Sequence, residues 1–198
     1  MRSTMEWFRR FGDIPGIDYQ VDPQVDRSRL AHKDDVPRVA SNYLMWPTDE
    51  GSTSASPAHR HWHSDNTPVP TPELLLNMME ALELPGIPSD YHFIIQGCAE
   101  RLWARRREEP SALESVERLC WLDIRLIEVK PSLIHAELRG ARVMTFQWLI
   151  DLRAREGFLN EALDIARLAA TFQQGDTNAQ LLQDRIAALE AEVVTFDR

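Results

Sequence analysis

Side chains that commonly bind metal ions alternate along the segment HRHWHSDN, residues 59–66. On an extended chain, residues two positions apart project to the same side, so His59, His61 and His63 could give imidazole nitrogens to one metal ion. Asp65 would add a carboxylate oxygen to the same ion. This pattern is typical of a metal-dependent enzyme or a metal-binding regulator. The other interpretation, which we favour, is a polar loop whose histidines lie in solvent or contact acidic groups of the body.

Part of the same segment resembles a hydrolase signature. The order His61-x-His63-x-Asp65 is similar to the H-x-H-x-D-H motif of the metallo-β-lactamase-like hydrolases, and that resemblance implies a metal-dependent hydrolase. The final histidine of the motif is Asn66 in this chain, and the residues SASPAHR stand where that fold has an apolar strand.

No other stretch has the residue types and spacing of a catalytic or cofactor site. The chain contains no P-loop, no glycine-rich dinucleotide turn, no G-x-S-x-G and no H-E-x-x-H motif. Cys98 and Cys120 lie on apolar faces of predicted helices, which favours two buried, reduced thiols over a disulfide or a redox pair. We therefore predict no catalytic residue and no cofactor.

The charge balance restricts the class of partner. The 198 residues carry a formal net charge of −9, the opposite of the basic field that nucleic-acid-binding proteins present. A role with nucleic acid would depend on the run Arg105 to Arg107, which we interpret instead as the solvated end of a helix. No apolar run approaches the roughly 18 residues of a membrane span, and the first residues contain no apolar core of a secretory signal. We predict a cytoplasmic protein that binds neither nucleic acid nor membrane, and whose partner is a basic or mixed protein surface.

Apolar periodicity, helix caps and helix breakers predict an all-α body over residues 71–198. The breaks are short, and several contain proline or glycine, which end helices. Short connections between amphipathic helices favour stacked antiparallel hairpins. The predicted helices cover about residues 71–84, 91–108, 112–130, 132–156 and 159–173, with a last helix from about residue 177.

Residues 1–70 are predicted to form an irregular, proline-rich arm. Seven prolines between Pro15 and Pro70 leave no room for a long helix, and GSTSASP at residues 51–57 has the composition of a flexible loop. The arm nevertheless contains more aromatic residues than a solvated tail would. We expect these side chains to dock on the helical body or on a partner; they are Trp7, Tyr19, Tyr43, Trp46 and Trp62.

Residues 143–176 resemble a tetratricopeptide (TPR) repeat, whose period is 34 residues. Phe146 and Leu149 take the large apolar positions of its first helix, and Gly157 takes the small position between the helices. The second helix has matching residues at Leu159, Ala162, Ala166 and Ala169. Departures are Ile150 at a small position, Arg153 at an aromatic position and Gln174 in place of a closing proline. With a looser match before it, the resemblance covers about residues 91–195.

The TPR resemblance implies a concave groove that binds peptides or protein surfaces. We therefore predict a non-enzymatic adaptor or scaffold protein that binds another protein or peptide, or a second copy of itself as a homo-oligomer. Binding would use the helical groove, the arm or both. The predicted partner-binding residues are Trp103, Trp121, Trp148, Arg153 and Trp46.

Overall fold

The computed structural model describes residues 6–63, 69–133, 143–172 and 177–196. The chain divides into two compact units, residues 1–98 (unit 1) and residues 99–198 (unit 2). Most described residues are helical, which confirms the all-α prediction at that level, but unit 1 also contains a small sheet. The predicted division between an arm and a body near residue 70 was based on amino-acid composition, whereas the two units are defined by compactness. It therefore stays a prediction.

Helices dominate both units, and their bounds follow local signals. Proline stands in the first turn of α1 and of α2, where its missing N–H leaves no intrahelical hydrogen bond unmade. None of the described helices is long and apolar enough to cross a membrane. The helices are α1 (Pro57–Trp62), α2 (Thr71–Leu82), α3 (Pro88–Arg105), α4 (Ala112–Val129), α5 (Met144–Arg155), α6 (Leu159–Phe172) and α7 (Thr177–Phe196).

A three-stranded antiparallel sheet lies where the sequence predicted only an irregular arm. Its strands are β1 (Arg38–Ala40), β2 (Tyr43–Thr48) and β3 (Gly51–Thr53), in the order β1-β2-β3. Leu44 and Trp46 are buried on β2 while their neighbours along the strand are more exposed, as expected for a strand with one face on a core. The prediction of a wholly irregular arm is therefore wrong for this stretch.

The core of unit 1 joins the N-terminal residues to α2 and to the start of α3. Phe8 and Gly86 exchange two backbone hydrogen bonds, of 2.9 and 3.0 Å. The Tyr91 hydroxyl donates to the Leu84 carbonyl at 2.9 Å, and its ring meets the ring of Phe11 edge to face. These contacts fix the N-terminal residues on the helices within one unit.

Unit 2 is built from consecutive helices that pack in pairs: α4 with α5, α5 with α6, and α6 with α7. Gly157 ends α5 with a φ of +85°, a left-handed conformation that glycine adopts without steric penalty. Deep between α4 and α5, the Thr145 hydroxyl donates to the Asp123 carboxylate at 2.7 Å. Cys98 of unit 1 and Cys120 of unit 2 are both buried, as predicted, and burial raises the pKa of the Cys120 thiol.

Candidate functional site

The described histidines His59 to His63 lie in or directly after the helix α1, and not on the extended chain on which the metal prediction rested. Ser56 precedes α1, and its side-chain oxygen accepts a hydrogen bond from the His59 backbone N–H at 3.1 Å. This cap, followed by Pro57, starts a helix where alternation alone had indicated an extended segment. On a helix, residues four apart share a face and residues two apart do not.

The structure accordingly groups the histidines differently from the prediction. The rings of His59 and His63 lie together, with their centroids 4.4 Å apart, and His59 Nδ1 is 3.9 Å from Asp90 Oδ1. His61 faces another way, with its Nε2 3.1 Å from Glu80 Oε2. Asp65 lies outside the described residues. Among the residues that the structure does describe, no three His, Cys, Asp or Glu side chains meet in a way that could hold a metal ion.

In unit 2, two of the predicted tryptophans meet two arginines. Trp103 of α3 stacks on Trp148 of α5, with ring centroids 6.5 Å apart and planes inclined by 28°. The Arg106 guanidinium lies 4.5 Å from the Trp103 ring centroid and that of Arg155 lies 5.7 Å from it. Trp148 is buried, whereas Trp103 is partly exposed. We call Trp103, Trp148, Arg106 and Arg155 the Trp103 cluster.

The two guanidiniums of the Trp103 cluster are not offset by any carboxylate of the described residues. Within the described part of the chain, neither Arg106 nor Arg155 forms an ion pair, and the same is true of exposed Arg107. Arg106 instead donates to the Trp103 carbonyl at 2.7 Å. Glu156, the acidic neighbour of Arg155 in sequence, is paired with Arg153. An aromatic ring flanked by guanidiniums in this way can accept an apolar group together with a carboxylate.

Arg153, which the sequence assigned to partner binding, makes its contacts inside unit 2. It forms ion pairs with Glu117 of α4, Glu156 after α5 and Glu161 of α6. Its guanidinium also lies 5.7 Å from the ring centroid of Phe158. The arginine therefore connects three consecutive helices of unit 2.

The remaining predicted residues lie apart from this cluster. Trp46 is buried in unit 1, where its ring meets that of Trp7 edge to face at 5.8 Å. Trp121 projects from α4 with 41% of its surface exposed. Sequence reasoning missed Arg106 and Arg155 as site residues. The run Arg105 to Arg107 was a usable signal for Arg106, but nothing in the sequence placed Arg155 beside Trp103.

The chain matches no protein-family model, and neither the curated proteins nor the solved structures include one similar to it.

Proposed function

We propose that this protein is a non-enzymatic interaction module that binds a segment of another protein at the Trp103 cluster. The observation that carries the proposal is a pair of guanidiniums, those of Arg106 and Arg155, that lie against a partly exposed tryptophan and lack carboxylate partners in the described chain. Tryptophan and arginine are the side chains most enriched among the residues that dominate protein–protein binding energies.

We further infer that α4 to α7 form a stack of TPR-like hairpins. Supporting this, consecutive helices pack together, and a glycine with positive φ separates α5 from α6. Ala162, Ala166 and Ala169 are buried on α6, at the positions where the TPR repeat has small residues for close helix packing. Such a stack would present the end of α5 and its Arg155 as part of a continuous binding surface.

The chemistry of the cluster selects the partner segment. A guanidinium binds a carboxylate through two parallel hydrogen bonds, and the indole face offers apolar contact beside it. The preferred ligand is therefore a peptide with an aspartate or glutamate next to an apolar side chain. A long polyanion such as nucleic acid is disfavoured, because the whole chain carries a net charge of −9.

The test is selection of binding peptides from a random display library with the full-length protein, followed by affinity measurement with a labelled peptide. We expect the selected peptides to be enriched in Asp or Glu adjacent to an apolar residue. The double variant Arg106→Ala/Arg155→Ala should weaken binding by about tenfold or more, because truncation of a central arginine commonly costs more than 1 kcal/mol.

A matched double variant controls for the loss of two positive charges. Arg125→Ala/Arg167→Ala removes two exposed arginines of unit 2 that pair with carboxylates outside the Trp103 cluster, and it should leave peptide affinity within about twofold. Equal losses in both double variants, or selected peptides without acidic residues, would overturn the proposal.

A further inference from the structure

A polar cleft of about 500 Å³ lies in unit 1 beside the turn that joins β2 to β3. This volume falls within the range of small-molecule sites, which runs from about 300 to 1,000 Å³. The strand ends and the turn supply Thr48, Asp49, Glu50 and Ser52 to the lining. His32 and Arg60, which are distant from the turn in sequence, complete its polar wall.

The guanidinium of Arg60, which lines the cleft, does not use all of its hydrogen-bond donors. Arg60 Nη2 lies 3.4 Å from Asp35 Oδ2 and 3.4 Å from the Pro47 carbonyl, and both are long hydrogen bonds. The Nε of the same guanidinium is buried and finds no acceptor among the described residues. An arginine with long hydrogen bonds and an unused donor has hydrogen-bonding capacity left for an anionic group in the cleft.

His32, beside this arginine, is held in a strained conformation. Its φ is +63°, in the left-handed region that residues other than glycine seldom adopt. Its Nδ1 lies 3.1 Å from the same Asp35 oxygen that Arg60 contacts, so one carboxylate orients both the imidazole and the guanidinium. Strain of this kind persists where the surrounding structure fixes it, and it is concentrated at functional sites.

The same cleft is lined by negative charge that pairs with no cation of the described residues. Asp49 and Glu50 form the two-residue turn between β2 and β3, and within the described chain neither makes a hydrogen bond or an ion pair. The hydroxyls of Thr48 and Ser52 flank them. The lining of the cleft therefore includes both a donor for an anion, Arg60, and acceptors for an ammonium group, Asp49 and Glu50.

We propose that this cleft binds a small zwitterion, a free amino acid, with its carboxylate on Arg60 and its ammonium group on Asp49 and Glu50. A purely anionic ligand would leave two carboxylates facing it, and a purely cationic ligand would leave the Arg60 donor unused. The zwitterion satisfies both sides at once, and the hydroxyls can complete its hydrogen bonds. The site lies in unit 1 and does not depend on the interaction proposed for unit 2.

Calorimetry on the full-length protein with the twenty free L-amino acids tests the proposal. At least one should bind with a dissociation constant of about 1 mM or lower. Its amide, which lacks the carboxylate, and its N-acetyl form, which lacks the ammonium group, should each bind about tenfold or more weakly. These measurements use the unaltered chain, so they do not depend on the folding of a variant.

Two variants then assign each end of the ligand. In Arg60→Met, the amino acid and its amide should bind with equal affinity, because the partner of the carboxylate is gone. In Asp49→Asn/Glu50→Gln, the amino acid and its N-acetyl form should bind with equal affinity, because the partners of the ammonium group are gone. Asp18→Asn/Glu73→Gln, which neutralises two exposed acids of unit 1 outside the cleft, should change neither preference. The proposal is overturned if no amino acid binds, if the blocked forms bind as well, or if the control changes the preferences equally.

Discussion

At the residue scale, unit 1 buries a carboxylate that lacks hydrogen bonds. Glu83 is 1% exposed, and within the described chain neither of its side-chain oxygens has a hydrogen-bond partner. Arg10 and Arg27 each bring a guanidinium nitrogen to 3.7 Å from Glu83 Oε2, close enough for attraction but too far for a hydrogen bond. Burial raises the pKa of Glu83 and the two arginines oppose the rise, but the burial effect is larger.

This raised pKa predicts how the stability of unit 1 changes with pH. The folded chain holds the Glu83 proton more tightly than the unfolded chain, whose glutamate titrates near 4.5. Unit 1 should therefore lose stability as the pH rises from 4.5 through the raised pKa of the folded state. In Glu83→Gln this loss should be smaller. It should not vanish, because burial also raises the pKa of Asp90. Hydrogen exchange of α2 amides at a series of pH values measures the change.

The control for that series is Glu50→Gln, which alters an exposed glutamate of the same unit. It should follow the unaltered protein at every pH. A pH dependence that is the same in Glu83→Gln as in the unaltered chain would contradict the prediction.

The contacts at both proposed sites were beyond sequence reasoning for one physical reason. Trp103 and Trp148 are 45 residues apart, and Arg60 and Asp35 are 25 apart. Such pairs depend on how the chain folds back, which no local pattern encodes. The residue types were visible: the tryptophans and Arg153 were named from the sequence, and two of those tryptophans, Trp103 and Trp148, stack in unit 2. Their contacts were not visible, because Arg153 pairs with carboxylates beside it while Arg155, two positions on, forms no ion pair with any described residue.

At the scale of elements, Arg153 connects three helices of unit 2. Its side chain is 17% exposed and lies among Glu117, Glu156 and Glu161. Removal of the guanidinium would leave these three carboxylates close together without a counter-charge. Partial exposure of the carboxylates lets water screen part of that repulsion, so the contribution is smaller than for a fully buried pair.

We expect Arg153→Met, which keeps an unbranched apolar stem, to lower the free energy of unfolding of unit 2 by about 1–2 kcal/mol. Peptide affinity at the Trp103 cluster should change by less than about threefold, because Arg153 does not contact Trp103. Urea unfolding and the peptide assay described above measure the two effects separately. A variant that keeps full stability but no longer binds the peptide would restore Arg153 to the binding surface, as the sequence had indicated.

The helices α2, α4 and α6 were predictable because their signals are local, whereas the short α1 was not predicted. Prolines in first turns, the Glu109-Pro110 break and Gly157 lie within a few residues of the ends that they set, and the observed bounds of α2, α4 and α6 fall close to the predicted ones. The sheet was not predictable in the same way. The strands β1 and β3 have three residues each, and β2 contains Pro47, a residue that is uncommon in strands. Periodicity needs a longer window than these strands provide.

At the scale of the whole molecule, the predicted arm is part of the core of unit 1. Phe11 and Trp46 are almost completely buried, and Tyr91 at the start of α3 packs against Phe11. Phe8 also forms a backbone bridge with Gly86, as a residue of one strand does with a residue of its neighbour. Unit 1 therefore draws its core from both sides of residue 70, and composition could not show this because prolines and polar loops separate the buried aromatics.

A chain shortened to residues 71–198 should consequently lose the ordered structure of α2. Leu74, Leu82 and Tyr91, which are buried in the full chain, would face water without the N-terminal residues, and the loss of large apolar contacts commonly costs 3–5 kcal/mol for a single aromatic side chain such as Phe11. A helix of 12 residues is marginal in isolation. Hydrogen exchange of α2 amides should therefore be fast in the shortened chain and slow in the full one.

Val39→Ala, which truncates an arm residue that is 77% exposed, should leave exchange unchanged. Equal protection of α2 in the shortened and full-length chains would show that the arm adds nothing to this core.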